Sequence, residues 1–411
     1  MKHALFLFVI CRMLAPAFAG EPAVLDSAKQ NAAVSGFASM EFGQIVRGYH
    51  KEAPVDHYWL QRALTNISFF SSLNTWLRVY CGLEGELWGS FYQTPGAPET
   101  QQLYYSPYID RAEGVVTLGK NNARFEIGAG CFPFKYNPDA RNLGEYLMRG
   151  DPYPTYVPTT FDYACTRLLG FRIHHEMFGM VRQDLLLTSA TDHYPLYDFA
   201  LSYLAAVRVH PAVTLGAGVC LDHLLAVNDS MTDKMFRYAQ GVDTVDYTFR
   251  GTKVMARLSC DPKKFFASNG LFGENDLVLY AEAAILGMAN YAGFYSDWGR
   301  RMPVMLGFNF PAFNLLTMAA VEAEWWSGPY PNSLYQVAKY NQPIPVIRAG
   351  SSKDYWKWSV YLRRDFGPFA IIAQAANDHM RTRSLRENDQ DYEQALREKS
   401  WYWMLKLRFG F

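Results

Sequence analysis

Arg78, Glu84, Glu86, Arg124, Glu126, Arg172, Arg257, Glu282, Glu322 and Glu324 carry the charge available for chemistry, and they recur on alternate positions of apolar runs. In an extended chain, residues two apart project from the same face. Glu84 with Glu86, Arg124 with Glu126 and Glu322 with Glu324 then form short rows of charge along one side of a strand. Rows of this kind orient water, ions and polar solutes; they do not set a nucleophile against a base. His174 and His175 are adjacent and face opposite sides of a strand, so they cannot chelate as a pair. Cys81, Cys131, Cys165, Cys220 and Cys260 are far apart in apolar runs, with no CxxC or Cys/His spacing. They read as small hydrophobic residues, and no metal site or cofactor is expected. No Ser/His/Asn or Asp/His spacing singles out a catalytic centre. The chemistry indicated is electrostatic contact with solutes, and no enzyme activity is expected.

The elements that must hold these residues follow from a period of two. From Leu73 to Phe91 the odd positions are apolar or small (Leu73, Leu77, Val79, Leu83, Leu87), while the even ones include Arg78, Glu84 and Glu86. The same alternation runs through 197–209, 213–221, 254–260, 321–325 and 356–362. Wound as helices, these stretches would carry charge on every side, whereas as strands they have one greasy face and one wet face. Soluble sandwich strands average about 5–6 residues. Several runs here are much longer, which matches the ~9–11 residue strands of a tilted barrel wall in a membrane.

Composition agrees with this reading. The chain has 411 residues, 39 basic and 39 acidic, and is 50% hydrophobic, 16% aromatic and only 19% charged. Balanced charge argues against nucleic-acid binding, and the aromatic content argues against disorder. Residues 1–19 read as a cleaved signal peptide: Lys2 opens an apolar run to Leu14, and Ala17-Phe18-Ala19 supplies small residues at a cleavage site. Residues 20–31 are then a short periplasmic segment, and 32–411 one barrel domain.

The chain ends Trp401-Tyr402-Trp403-Met404-Leu405-Lys406-Leu407-Arg408-Phe409-Gly410-Phe411, an aromatic amphipathic strand that would be a sticky open edge in a soluble protein. This segment resembles the C-terminal signature of Gram-negative outer-membrane β-barrel proteins of porin-like type. The resemblance implies that Leu407, Phe409 and Phe411 are the assembly signal read by the barrel assembly machinery. It also implies that the last strand pairs with the first, and that both termini are periplasmic. Counting back from that end, the pattern predicts an all-β transmembrane antiparallel barrel of about sixteen strands, with fourteen to eighteen allowed. The predicted strands are 32–43, 59–70, 73–91, 110–119, 123–134, 160–175, 180–189, 196–210, 212–223, 246–260, 276–288, 301–311, 314–326, 354–364, 368–380 and 400–411.

A barrel of that size leaves an aqueous interior unless something fills it. Glu84, Glu86, Glu126, Arg172, Arg257, Glu282, Glu322 and Glu324 are the expected lumen lining. In general porins the third outer loop folds inward and its acids face arginines on the wall. The segment 135–159 resembles that loop in position, length and charge. The resemblance implies a constriction with Asp139, Glu145 and Asp151 on the loop, beside its own Arg141, and Arg62, Arg78 and Arg124 opposite. The function expected is passive diffusion of small hydrophilic solutes across the outer membrane. The alternatives are a sugar- or anion-selective channel, a barrel enzyme or a surface adhesin. Expected partners are outer-membrane lipid, the assembly machinery and the solutes, with a homotrimer left open and no nucleic acid.

Overall fold

A computed structural model of the chain describes residues 32–47, 49–50, 53–54, 56–92, 100–120, 123–149, 166–189, 197–240, 243–265, 272–288, 298–326, 355–377, 381–382, 392–393 and 401–411. Sixteen strands form one closed antiparallel barrel. They are β1 (Ala32–Arg47), β2 (Tyr58–Ser72), β3 (Leu77–Tyr92), β4 (Thr100–Lys120), β5 (Ala123–Phe134), β6 (Thr166–Met177), β7 (Val181–Ser189) and β8 (Phe199–His210). The second half comprises β9 (Val213–Leu225), β10 (Gly251–Cys260), β11 (Leu279–Leu286), β12 (Val304–Asn309), β13 (Met318–Trp326), β14 (Tyr355–Phe366), β15 (Phe369–Ala376) and β16 (Trp401–Gly410). Each strand pairs with its neighbours in sequence, and β16 returns to β1. Among the described residues no helix is long and apolar enough to cross a membrane.

The alternation in the sequence becomes the two faces of the wall. Met40, Ile67, Leu83, Leu169, Leu215, Leu306, Ile371 and Leu407 point outward and are exposed, whereas Glu41, Arg62, Glu84, Glu282, Glu322 and Lys406 point inward and are buried. An apolar exterior around a polar interior reverses the arrangement of a soluble protein.

Closure depends on the last strand. Phe37 to Arg47 lie in register with Gly410 to Trp401. Gly36 donates to the Phe411 carbonyl at 2.8 Å, and Phe411 donates back to Gly36 at 3.0 Å. Phe409 packs on Phe369 at 4.8 Å between ring centres, and Leu407 faces out in register with Met40 and Ile371. No strand edge is left open at the seam.

Several boundaries differ from the sequence expectation, the starts of β4 and β10 by the most. β4 begins at Thr100 rather than near 110, because residues 100–109 extend the ladder with β3 past Pro107. Pro107 and Ser106 look like loop residues, but β3 is itself 16 residues long and offers the template. Residues 246–250 are not part of β10. Asp243–Tyr247 instead pairs with Phe236–Gln240 in a separate hairpin, and Phe249 is buried beside His223, at 6.2 Å between ring centres. The expected strand 160–175 is described only from Thr166.

The barrel has one end with short connections, such as 73–76, 178–180, 211–212 and 367–368, and one end with long ones. The wall is uneven: β1 to β4 contain 16, 15, 16 and 21 residues, while β11 and β12 contain 8 and 6.

Candidate functional site

The long connection that leaves β5 enters the barrel. Residues 135–149 cross the interior and hydrogen-bond to inward side chains of β11, β13 and β14. Glu322 of β13 accepts the backbone N–H groups of Arg141 (2.5 Å), Asn142 (2.8 Å) and Leu143 (2.9 Å), and also the Tyr280 hydroxyl (2.9 Å). Glu282 of β11 accepts the Tyr136 hydroxyl (2.6 Å), the Asn137 amide (2.8 Å) and the Tyr146 N–H (2.9 Å). Glu324 accepts the Tyr146 hydroxyl at 2.8 Å, and the Asn142 side chain donates to Ser359 of β14 at 2.7 Å. A carboxylate that accepts three N–H groups serves as an anion site for a turn of backbone, and these charged bonds are the strong kind.

Apolar packing completes the docking. Phe134, Tyr136, Leu143, Leu147 and Met148 are buried against Leu186, Leu204, Met255, Leu286 and Met305 of the wall. The interior is therefore not uniformly polar among the described residues. A second apolar cluster lies between β1, β2 and β13 to β16, around Ile45, Leu60, Tyr361 and Tyr402. Gly144 permits the closest approach. Its φ is +81°, and a Cβ there would stand 2.7 Å from Met305 Cε and 3.2 Å from Glu282 Oε2. The next residue, Glu145, also adopts a positive φ of 61°, a strained state for a residue with a side chain. Its buried carboxylate accepts the backbone N–H groups of Tyr136 and Asn137, which ties the two ends of the turn together.

The expected site residues separate by position. Glu282, Glu322 and Glu324 face the interior as lumen-lining positions and are taken up by the inserted segment. Glu145 is turned into its own loop, and Arg141 holds Glu322 through its backbone while its Nε is buried without a hydrogen-bond partner. The wall arginines meet wall carboxylates: Arg62 pairs with Glu41 (2.5 Å) and Glu86 (3.5 Å), and Arg78 and Arg124 both pair with Glu126. Arg167, which the sequence reading did not single out, bridges Glu84 (3.2 Å) and Asp110 (2.7 Å). The structure thus does not bring Glu145 to Arg62, Arg78 or Arg124. Asp151 lies outside the described residues.

Asp139 takes a different position. With Pro138 it forms the tip of the inserted segment and borders a cavity of ≈ 500 Å³ towards the short-turn end. The opposite wall carries Glu126, Arg172, His174, Glu176, Arg182, Asp184, Arg208 and Arg257. Arg172 pairs with Glu113 at 2.5 Å, and Asp184 holds His174 (2.8 Å) and Arg182 (3.2 Å). His175 faces outward against Phe125, at 5.5 Å between ring centres, as the strand parity requires. Among the described residues no group of His, Cys, Asp or Glu could hold a metal ion.

At the long-loop end, a segment after β9 is latched to the rim. Asp198 is hydrogen-bonded to His223 Nδ1 (3.1 Å), the Val227 N–H (2.8 Å) and the Thr232 hydroxyl. Burial works against its charge, but these hydrogen bonds outweigh it and hold the carboxyl below the ordinary aspartate range. Arg250 adds ion pairs to Asp233 (2.6 Å) and Asp229 (3.4 Å).

No protein-family model matches the sequence, and no curated protein matches it. Among solved structures the chain is similar to engineered variants of the Rhodopseudomonas blastica porin. Two of these are 10% identical, covering 92% of this chain and 100% of the other, with TM-scores of 0.43 and 0.42. A likeness of that size adds nothing to the strand register described above.

Proposed function

We propose that this protein is a porin-like channel of a Gram-negative outer membrane, narrowed from within, through which small hydrophilic solutes diffuse. On this reading residues 1–19 are removed on export and 20–31 lie in the periplasm. The short-turn end faces the periplasm, and Leu407, Phe409 and Phe411 present the strand that the assembly machinery recognises. The observation that carries the proposal is the charged cavity between the tip of the inserted segment and the wall of β5 to β10. Water solvates charges there that a dry core would not tolerate. The segment 135–149 serves as a fixed constriction, because two wall carboxylates hold its backbone in place. Asp139 on its tip and the arginines on the wall then set a field across the passage, which orders polar solutes and sets ion preference.

A preference for anions is supported by one arrangement. Glu126 lies between Arg78 and Arg124, and Glu113 between Arg111 and Arg172. Each of these two acids is outnumbered by its guanidiniums, so the wall is locally positive there, whereas Arg62 and Arg167 each meet two acids.

Planar-bilayer recording with the purified mature protein tests the channel. Discrete ohmic current steps are expected. A silent barrel that inserts normally would end the transport reading, and hydrolysis of lipid or peptide by the same preparation would move it to the enzyme class.

A further inference from the structure

We infer that Arg208 and Arg257, with the hydroxyls of Thr214 and Ser259, form a seat for a small tetrahedral oxyanion, with inorganic phosphate as its simplest occupant. All four residues line the cavity at the short-turn end. They lie on three adjacent strands, with Arg208 opposite Thr214 on β8 and β9, and Thr214 opposite Ser259 on β9 and β10. The two arginines are therefore separated by two interstrand spacings, about 9–10 Å at the backbone, with β9 as the floor between them.

That floor is open at one place. Gly216 lies opposite Arg257, and a Cβ on Gly216 would come within 2.7 Å of Arg257 Cγ and Nε. The Arg257 side chain thus lies down across β9 in the direction of β8, where Arg208 stands. Only a residue with no side chain leaves room for this.

The neighbouring acids are already engaged, which leaves both guanidiniums without acid partners among the described residues. The cross-strand neighbour of Arg257 is Glu282, whose oxygens are occupied by Tyr136, Asn137 and Tyr146 of the inserted segment. The nearby Asp184 is held by His174 and Arg182. Among the described residues Arg208 and Arg257 make no ion pair, although every other arginine lining this cavity does. Two planar donor forks and two hydroxyls converging on one cavity match the oxygens of a phosphate or sulfate group. Asp139 faces the same cavity from the loop tip. Its charge weakens the seat, which suits a station that a solute must leave as well as enter.

This inference rests on the channel reading for its role, but binding can be read without conduction. The experiment follows phosphorus NMR line broadening of inorganic phosphate by the full-length protein in detergent micelles, with closed-barrel mobility on unheated gels confirming the fold of each variant. The wild type is expected to broaden the signal saturably. Arg257→Gln, Arg208→Gln and Gly216→Val are each expected to raise the half-saturating concentration about tenfold or more, as for loss of one charged hydrogen bond. Arg257→Lys keeps part of the binding, and Asp139→Asn tightens it. Gly216→Val is the decisive variant, since it removes no charge. Equal half-saturation in all variants, or no broadening by the wild type, overturns the seat. Phosphate binding by a barrel that passes no current would instead keep the seat and sink the channel reading.

Discussion

At the residue scale, the most informative side chains are the carboxylates that lost their expected task. Glu282 and Glu322 have the position of pore-lining acids, yet each accepts three donors from the inserted segment. Replacing Glu322 with Ala should cost about 2–3 kcal/mol of loop docking, as expected for charged hydrogen bonds whose N–H partners are left buried. Higher single-channel conductance and open-channel noise are the expected signs; currents identical to wild type would show that the segment is held elsewhere. Neutralising Arg78 and Arg124 should move the reversal potential towards cations, because Glu126 would lose both counter-charges. The Asp198 latch makes a pH prediction. Its folded carboxyl titrates below the unfolded value of about 3.9. The stability it adds is complete above that value and is lost as pH falls through the lower, folded one. Segment 226–250 should therefore resist protease at pH 5–7 and become cleavable only in stronger acid, while Asp198→Asn should be cleavable at neutral pH.

At the scale of elements, sixteen predicted strands each overlap one of the sixteen strands of the barrel. Alternation was readable because each strand meets two solvents, and a one-residue slip would exchange its faces. Boundaries were harder. Pro107 conceals the outer half of β4, and the hairpin 236–247 mimics the start of β10 with residues that pair only with each other. The seam strands carry a test of closure. Glu41 on β1 is buried between Arg62 on β2 (2.5 Å) and Lys406 on β16 (3.1 Å). Removing that one acid takes the nearest counter-charge from two buried cations, so Glu41→Gln should destabilise the barrel by about 3 kcal/mol. Loss of heat-modifiable mobility at a lower temperature than wild type would register it, whereas an unchanged transition would show that backbone pairing alone closes the wall.

At the scale of the whole molecule, an apolar exterior, a polar interior and a closed ladder are consequences of one period repeated around a cylinder. That much was determined by the sequence, since alternation, strand length and the aromatic final strand are local properties that need no knowledge of distant partners. Tertiary structure alone decided which inward charges remain free. Parity shows that Glu282, Arg257 and Arg62 all point inward, but whether each meets a partner depends on another strand or on the segment that crosses the interior. Coulombic pairing and hydrogen bonding act over a few ångströms in space, whatever the separation along the chain. Residues 141 and 322, or 41 and 406, therefore meet only because the sheet closes and the loop turns inward.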